Sequence, residues 1–92
     1  MIEIKKGDKK FYVGDSEANP DAEITFVNMG ENKIRIDHTN VSEKLKGQGV
    51  GNKLVKRVVD FAREENKKII PLCTFAKAEF EKNKEYEDVL YK

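Results

Sequence analysis

Through residue 41 the chain alternates apolar and polar positions in short runs, and past residue 50 the apolar positions recur at intervals of three and four. Alternation is the period of a half-buried strand, and the wider spacing marks one face of a helix. "MIEIKK" sets Ile2 and Ile4 on one side and predicts a first strand. "GDK" predicts a turn, and "KKFYVGD" a second strand holding Phe11, Tyr12 and Val13. "SEANPD" carries turn chemistry around Pro20. "AEITFVNM" predicts a third strand, rich in β-branched and aromatic residues. "GEN" leads into "KIRIDHTNV", a fourth strand. Regular alternation there places Ile34, Ile36, His38 and Asn40 on one face and Asp37 on the other. Val50, Leu54, Val58, Phe61 and Ala62 predict an amphipathic helix running to about Asn66. "KKIIPLC" reads as a short buried strand, and "FAKAEFEKNK" as a second, weaker helix.

Strands joined by brief turns form antiparallel meanders, whereas a strand reached through a helical crossover lies parallel to its predecessor. The predicted fold is therefore α+β. It has a mostly antiparallel five-stranded sheet, with a meander of four strands, the fifth parallel to the fourth, and two helices. A chain of 92 residues has room for one core. No linker, repeat or low-complexity segment divides it, so residues 1–92 are expected to form a single domain.

Charged residues and hydrophobic residues each make up 38% of the chain, and the net charge is +1. The two signs are interspersed, which leaves no basic field for nucleic acid. No run reaches the roughly 18 apolar residues of a membrane span, and the N-terminus lacks a signal-peptide core. Cys73 is the single cysteine, which excludes an internal disulfide and suits a reducing cytosol. A cytoplasmic location is the expectation. No His, Cys, Asp and Glu set has metal-ligand spacing. "EFEKNKEYED" reads as a solvated face, with Tyr86 and Tyr91 expected to pack against the sheet.

"KLKGQGVGNKLVKRVVDFA", residues 44–62, concentrates Gly47, Gly49 and Gly51 directly before the first helix. Glycine permits positive φ and close approach of the backbone to a ligand. Successive N–H groups can then form a concave nest, and the helix N-terminus behind it favours anionic oxygens. Lys44 and Lys46 add positive charge at the rim. A diphosphate is the natural guest, and a flexible turn without ligand is the plain alternative. A Walker loop would need Ser or Thr after Gly-Lys, where Gly51 is followed by Asn52 and Lys53. The dinucleotide fingerprint needs another glycine spacing inside a βαβ unit.

"KGQGVG", between a strand and an amphipathic helix, resembles the acyl-CoA loop of the GNAT N-acetyltransferase superfamily. "DHTNV", "GQGVGNKLV", "KIIPLC" and "FAKAEF" are similar to its small YjdJ-type branch, a likeness that spans Ile34 to Phe80. The resemblance implies a GNAT-like fold that binds acetyl-CoA as acetyl donor and passes the acetyl group to an amine acceptor, without a metal. It places coenzyme A against Val41, Leu45, Lys46, Gly47, Gln48, Gly49, Val50, Gly51 and Asn52. In three respects the chain departs from the family pattern. Lys46 stands where Gln or Arg is usual, and Thr74 follows the cysteine where the branch has proline. Only "GDK" occupies the place of two helices between the first strands.

His38, on the fourth strand, and Cys73, closing the fifth, would both face an acetyl thioester if those strands splay at their C-terminal ends. His38 has a normal pKa near neutrality and suits proton removal from an attacking amine. Cys73 suits acyl acceptance as a thiolate, or reprotonation of departing coenzyme A. The plain alternatives are a satisfied polar residue at a strand end and a small buried hydrophobe. Acetyl transfer is the leading expectation, with backbone N–H groups of the fourth strand polarising the thioester carbonyl. The alternatives are a non-catalytic acyl-CoA-binding or sensing module and an interaction domain with a degenerate loop.

Overall fold

In the computed structural model, which describes residues 2–91, five strands form one sheet in chain order. They are β1 (Lys5–Gly7), β2 (Lys10–Val13), β3 (Ala22–Asn28), β4 (Lys33–Val41) and β5 (Lys68–Pro71). The first three junctions are antiparallel and β4 with β5 is parallel, as the order of elements predicted. Two α-helices, α1 (Val50–Glu64) and α2 (Thr74–Lys82), complete the fold. Short 3₁₀ segments cover Glu43–Leu45 and Lys84–Val89.

One stripe of α1 carries Val50, Leu54, Val55, Val58, Val59 and Ala62, all buried. They join Phe11, Ile24, Phe26, Ile34, Ile36 and Ile69 of the sheet in one core. Phe61 closes an aromatic cluster, with its ring 5.6 Å from those of both Phe11 and Phe26. The helix stops two residues short of the predicted end, for a local reason. Asn66 turns left-handed at φ 56, and Lys67 N–H returns to the Ala62 carbonyl while Asn66 N–H reaches that of Arg63. This is the Schellman pattern, which satisfies the last carbonyls of a helix. Ala76, Phe80, Tyr86 and Val89 join the same core, so α2 and the segment after it serve the same sheet face.

Two sequence expectations need correction. Ile2 and Ile4 precede β1 rather than form it, although both pack against the core. β2 leaves the sheet after Val13, where Gly14 bends at φ 125, and little backbone remains for residues before Lys5 to pair with.

The second correction concerns β4. Thr25 pairs with His38 but Phe26 pairs with Ile36, so Asp37 is an extra residue, a β-bulge. Directly paired residues point to the same face. Past the bulge Thr39 pairs with Ile24 and Val41 with Ala22, both core residues. His38 and Asn40 pair with Thr25 and Glu23, on the outer face. The bulge therefore moves His38 and Asn40 away from the face of Ile34 and Ile36, and both are exposed.

The outer face carries Tyr12, Thr25 and Val27 beside two ion pairs, Lys10–Glu23 at 3.0 Å and Arg35–Asp37 at 2.7 Å. Only the two-residue turn Asp8–Lys9 joins β1 to β2, so no helix between those strands covers it.

Candidate functional site

β4 outlasts its neighbour. Its pairing with β5 ends at Ile36 and Pro71, while β4 itself continues to Val41. Leu72 and Cys73 both donate their N–H to the Ile36 carbonyl, and the chain then turns into α2. The result is a fork between the free end of β4 and the head of α2. A cleft of about 600 Å³ opens beside it, lined by Thr39, Asn40, Val41, Leu45, Lys46, Gly47, Gly49, Val50, Gly51, Asn52 and Phe75.

The loop from β4 into α1 shapes one end of this cleft. Gly47 at φ 83 and Gly49 at φ 70 hold conformations that L side chains rarely adopt. Gly49 caps α1, and the first bond into the helix runs from Lys53 N–H to the Gly49 carbonyl. The N–H groups of Val50, Gly51 and Asn52 precede that bond and have no intrahelical acceptor. No side chain caps them, and the first turn holds no acidic residue. The positive end of the helix is therefore open to an anion in the cleft.

Gly51 serves a different purpose from the other two. It is helical and buried, and a Cβ there would lie 2.9 Å from Cζ of Phe75. Its missing side chain lets the Phe75 ring rest on the first turn of α1 and form a wall of the cleft. The expected lysine rim is also altered. Lys44 pairs with Asp21 at 3.1 Å and Lys46 with Glu43 at 2.9 Å, and only Lys46 lines the cleft.

Of the nine residues predicted to contact coenzyme A, eight line this cleft; Gln48 instead donates its amide to the Lys44 carbonyl at 3.3 Å. Thr39 and Phe75 are cleft residues that the pattern of the sequence did not reveal. Thr39 reaches the cleft through the bulge, and Phe75 through its contact with Gly51.

Cys73 sits at the fork, half-buried, at the N-cap position of α2 without closing a side-chain cap bond. Its Sγ lies 3.5 Å from Thr39 Oγ1. Burial opposes ionisation of the thiol. The Thr39 hydroxyl, the amides of Ala76 and Phe75 at the head of α2 and the Thr39 backbone outweigh it, and the thiol pKa falls below its ordinary value. His38 stands on the other face, opposite Thr25, whose buried hydroxyl has no hydrogen-bond partner among the described residues. No group of three or more His, Cys, Asp or Glu among the described residues could hold a metal. No helix among them is long and apolar enough to cross a membrane.

The solution structure of a GCN5-like protein from Staphylococcus aureus is similar over 98% of this chain and 88% of its own, with 56% identity and a TM-score of 0.82. More distant likenesses concern the fold alone. A GNAT family acetyltransferase from Elizabethkingia anophelis, solved with acetyl-CoA bound, shares 19% identity over 67% of this chain and 40% of its own, at a TM-score of 0.55. An IAA acetyltransferase from Bacillus cereus shares 17% over 79% and 51%, at 0.60. No curated protein matches the chain. The family model described as GCN5-related N-acetyl-transferase matches residues 10–89, nearly the whole described sheet and both helices. The chain belongs to the GCN5-related N-acetyltransferase family.

Proposed function

We propose that this protein binds acetyl-CoA in the cleft between β4, α1 and α2 and transfers the acetyl group to an amine acceptor. The observation that carries the reading is the uncapped head of α1. Its free N–H groups and the left-handed Gly47 and Gly49 face a cleft that runs on to Thr39, beside the Cys73 sulfur. A diphosphate suits the first end and a thioester the second. The Elizabethkingia fold neighbour, solved with acetyl-CoA, supports the same choice of ligand.

In this reading Lys46 and the amides of residues 47–52 hold the pyrophosphate, and the free edge of β4 orients the pantetheine arm. Acetyl-CoA supplies an activated acyl group as substrate. Cys73, at the fork, serves the sulfur end, either by accepting the acetyl group or by returning a proton to the departing thiolate. His38 and Asn40 stand on the outer face, where an acceptor has access, and His38 takes the proton released by the amine.

The bare outer sheet face favours a second reading, a module that binds acyl-CoA without turnover. Titration of acetyl-CoA into ¹⁵N-labelled protein tests the binding half of both. Amides of residues 46–52 are expected to shift, and an unmoved loop overturns both readings. Thiol release on addition of small amines, amino-terminal peptides and lysine peptides separates them. Binding without release for every amine leaves the module.

A further inference from the structure

We propose that Thr39 is the positioning residue of Cys73: its hydroxyl holds Sγ in place at the fork between β4 and the head of α2. The inference rests on the acetyl-CoA reading for its functional meaning, although the pairing itself stands on geometry.

A cysteine side chain has three staggered χ1 choices, and at the N-cap of α2 the amides of Phe75 and Ala76 draw the sulfur from one side. Thr39 completes the selection from 34 residues away, with Oγ1 and Sγ 3.5 Å apart. The bulge at Asp37 creates the contact. Without the extra residue, alternation would have turned Thr39 to the outer face and His38 inward. Thr39 is β-branched and stiff at χ1, so it offers its hydroxyl from a fixed position. Either atom of the pair can donate. A neutral thiol donates S–H to Oγ1, and a thiolate accepts O–H from it. One contact therefore serves both protonation states, and the sulfur need not move when its proton leaves.

The groups with the largest influence on the sulfur are burial, this hydroxyl, the amides of Ala76 and Phe75 at the head of α2, and the Thr39 backbone. In the connection from β5 and on α2 the neighbours in sequence are Leu72, Thr74 and Phe75, which are uncharged, and Lys77, whose N–H bonds to the Cys73 carbonyl. His38, the group that sequence alone paired with the cysteine, is on the opposite face.

The test is the pH profile of Cys73 alkylation by iodoacetamide in ligand-free protein, for wild type, Thr39→Val, Thr39→Ser and His38→Ala, with thermal melts as the check on folding. Thr39→Val keeps the shape and removes the donor. It is expected to move the profile to higher pH and to slow alkylation near neutrality, because the thiolate loses one of the donors that favour it. Thr39→Ser is expected to restore the wild-type profile, and His38→Ala to leave it unchanged. A Thr39→Val profile that coincides with wild type overturns the proposal, as does a Thr39→Ser profile that follows Thr39→Val. Acetyl-CoA titration of the same variants separates the two readings. A shifted profile with no amide movement in residues 46–52 upholds the Thr39–Cys73 pair and sinks the ligand assignment. An unshifted profile with normal acetyl-CoA binding does the reverse.

Discussion

The ring of Phe75 lies on the backbone of Gly51, so near that a Cβ on Gly51 would stand 2.9 Å from Cζ and 3.0 Å from Cε2. The first turn of each helix thereby touches the other across the mouth of the cleft. Gly51→Ala is expected to move Phe75 rather than to unfold the protein, because the colliding atoms are the far end of a side chain that is 38% exposed. Alanine in a helix gains about 1 kcal/mol over glycine, which offsets the displaced contact. Global stability should then change little, while acetyl-CoA binding weakens. Phe75→Leu in the same chain should recover part of the loss, a coupling that a double-mutant cycle reads directly.

Gly49→Val is expected to act through the backbone. A β-branched residue at φ 70 is an outlier, and the left-handed conformation costs an L residue roughly 1–2 kcal/mol. The loop should leave its present course, and acetyl-CoA affinity should fall by about tenfold or more, equivalent to about 1.4 kcal/mol. Lys84→Ala, outside the cleft, should bind as wild type. Calorimetric titration of the two variants decides the matter, and equal binding by both removes the loop from the site.

Lys46 and Lys44 should separate in salt. Lys46 lines the cleft, and Lys46→Ala should weaken binding about two- to fivefold at low salt, by an amount that fades as ionic strength screens charges over roughly 8 Å. Lys44 ties the loop to Asp21, so Lys44→Ala should change binding less. Affinities measured across a salt series distinguish screening from packing.

Arg63 bridges α1 to the C-terminal segment, with Nε and Nη2 each 2.9 Å from the Asp88 carboxylate and Nη2 also on the Glu85 carbonyl. The guanidinium bond holds Asp88 below the usual carboxylate range, against a smaller effect of desolvation. A carboxylate depressed in the folded state stabilises above its unfolded pKa and loses that contribution as pH falls through the folded one. Asp88→Asn should therefore melt lower than wild type at neutral pH, with the gap closing below about pH 4. The pair is largely exposed, so the effect is modest. Melting curves from pH 2 to 7 read it.

β4 was legible to the residue, from Lys33 to Val41, because alternation there is bounded by a glycine turn and a glycine loop. The head of α1 was legible for the same reason. The bulge was not, since Asp37 differs from its neighbours only in which residue it pairs with. That one unseen residue exchanged the faces of His38 and Thr39, and with them the partner of Cys73. Gly51 looked like its loop neighbours, but its requirement comes from Phe75, 24 positions on, a contact that no local pattern carries. Ile2 and Ile4 show the converse: they pack on the core as their spacing suggested, without a strand partner.

The parallel junction of β4 and β5 sets an order of assembly. Three hairpin pairings join near neighbours in sequence, whereas Ile34–Ile69 and Ile36–Pro71 must wait for α1 to form and cross the sheet. Loop closure over that distance is expected to make the junction a late step in folding and, against the seven pairs of β3 with β4, an earlier one to open. Native-state hydrogen exchange should find Ile69 and Ile70 opening before the amides of β3. Because β5 and α2 bring Cys73 and Phe75 to β4, a ligand spanning the cleft would fasten the last-formed part of the molecule to the first. Slowed exchange at β5 on addition of acetyl-CoA, with β3 unchanged, would be the kinetic mark of that link.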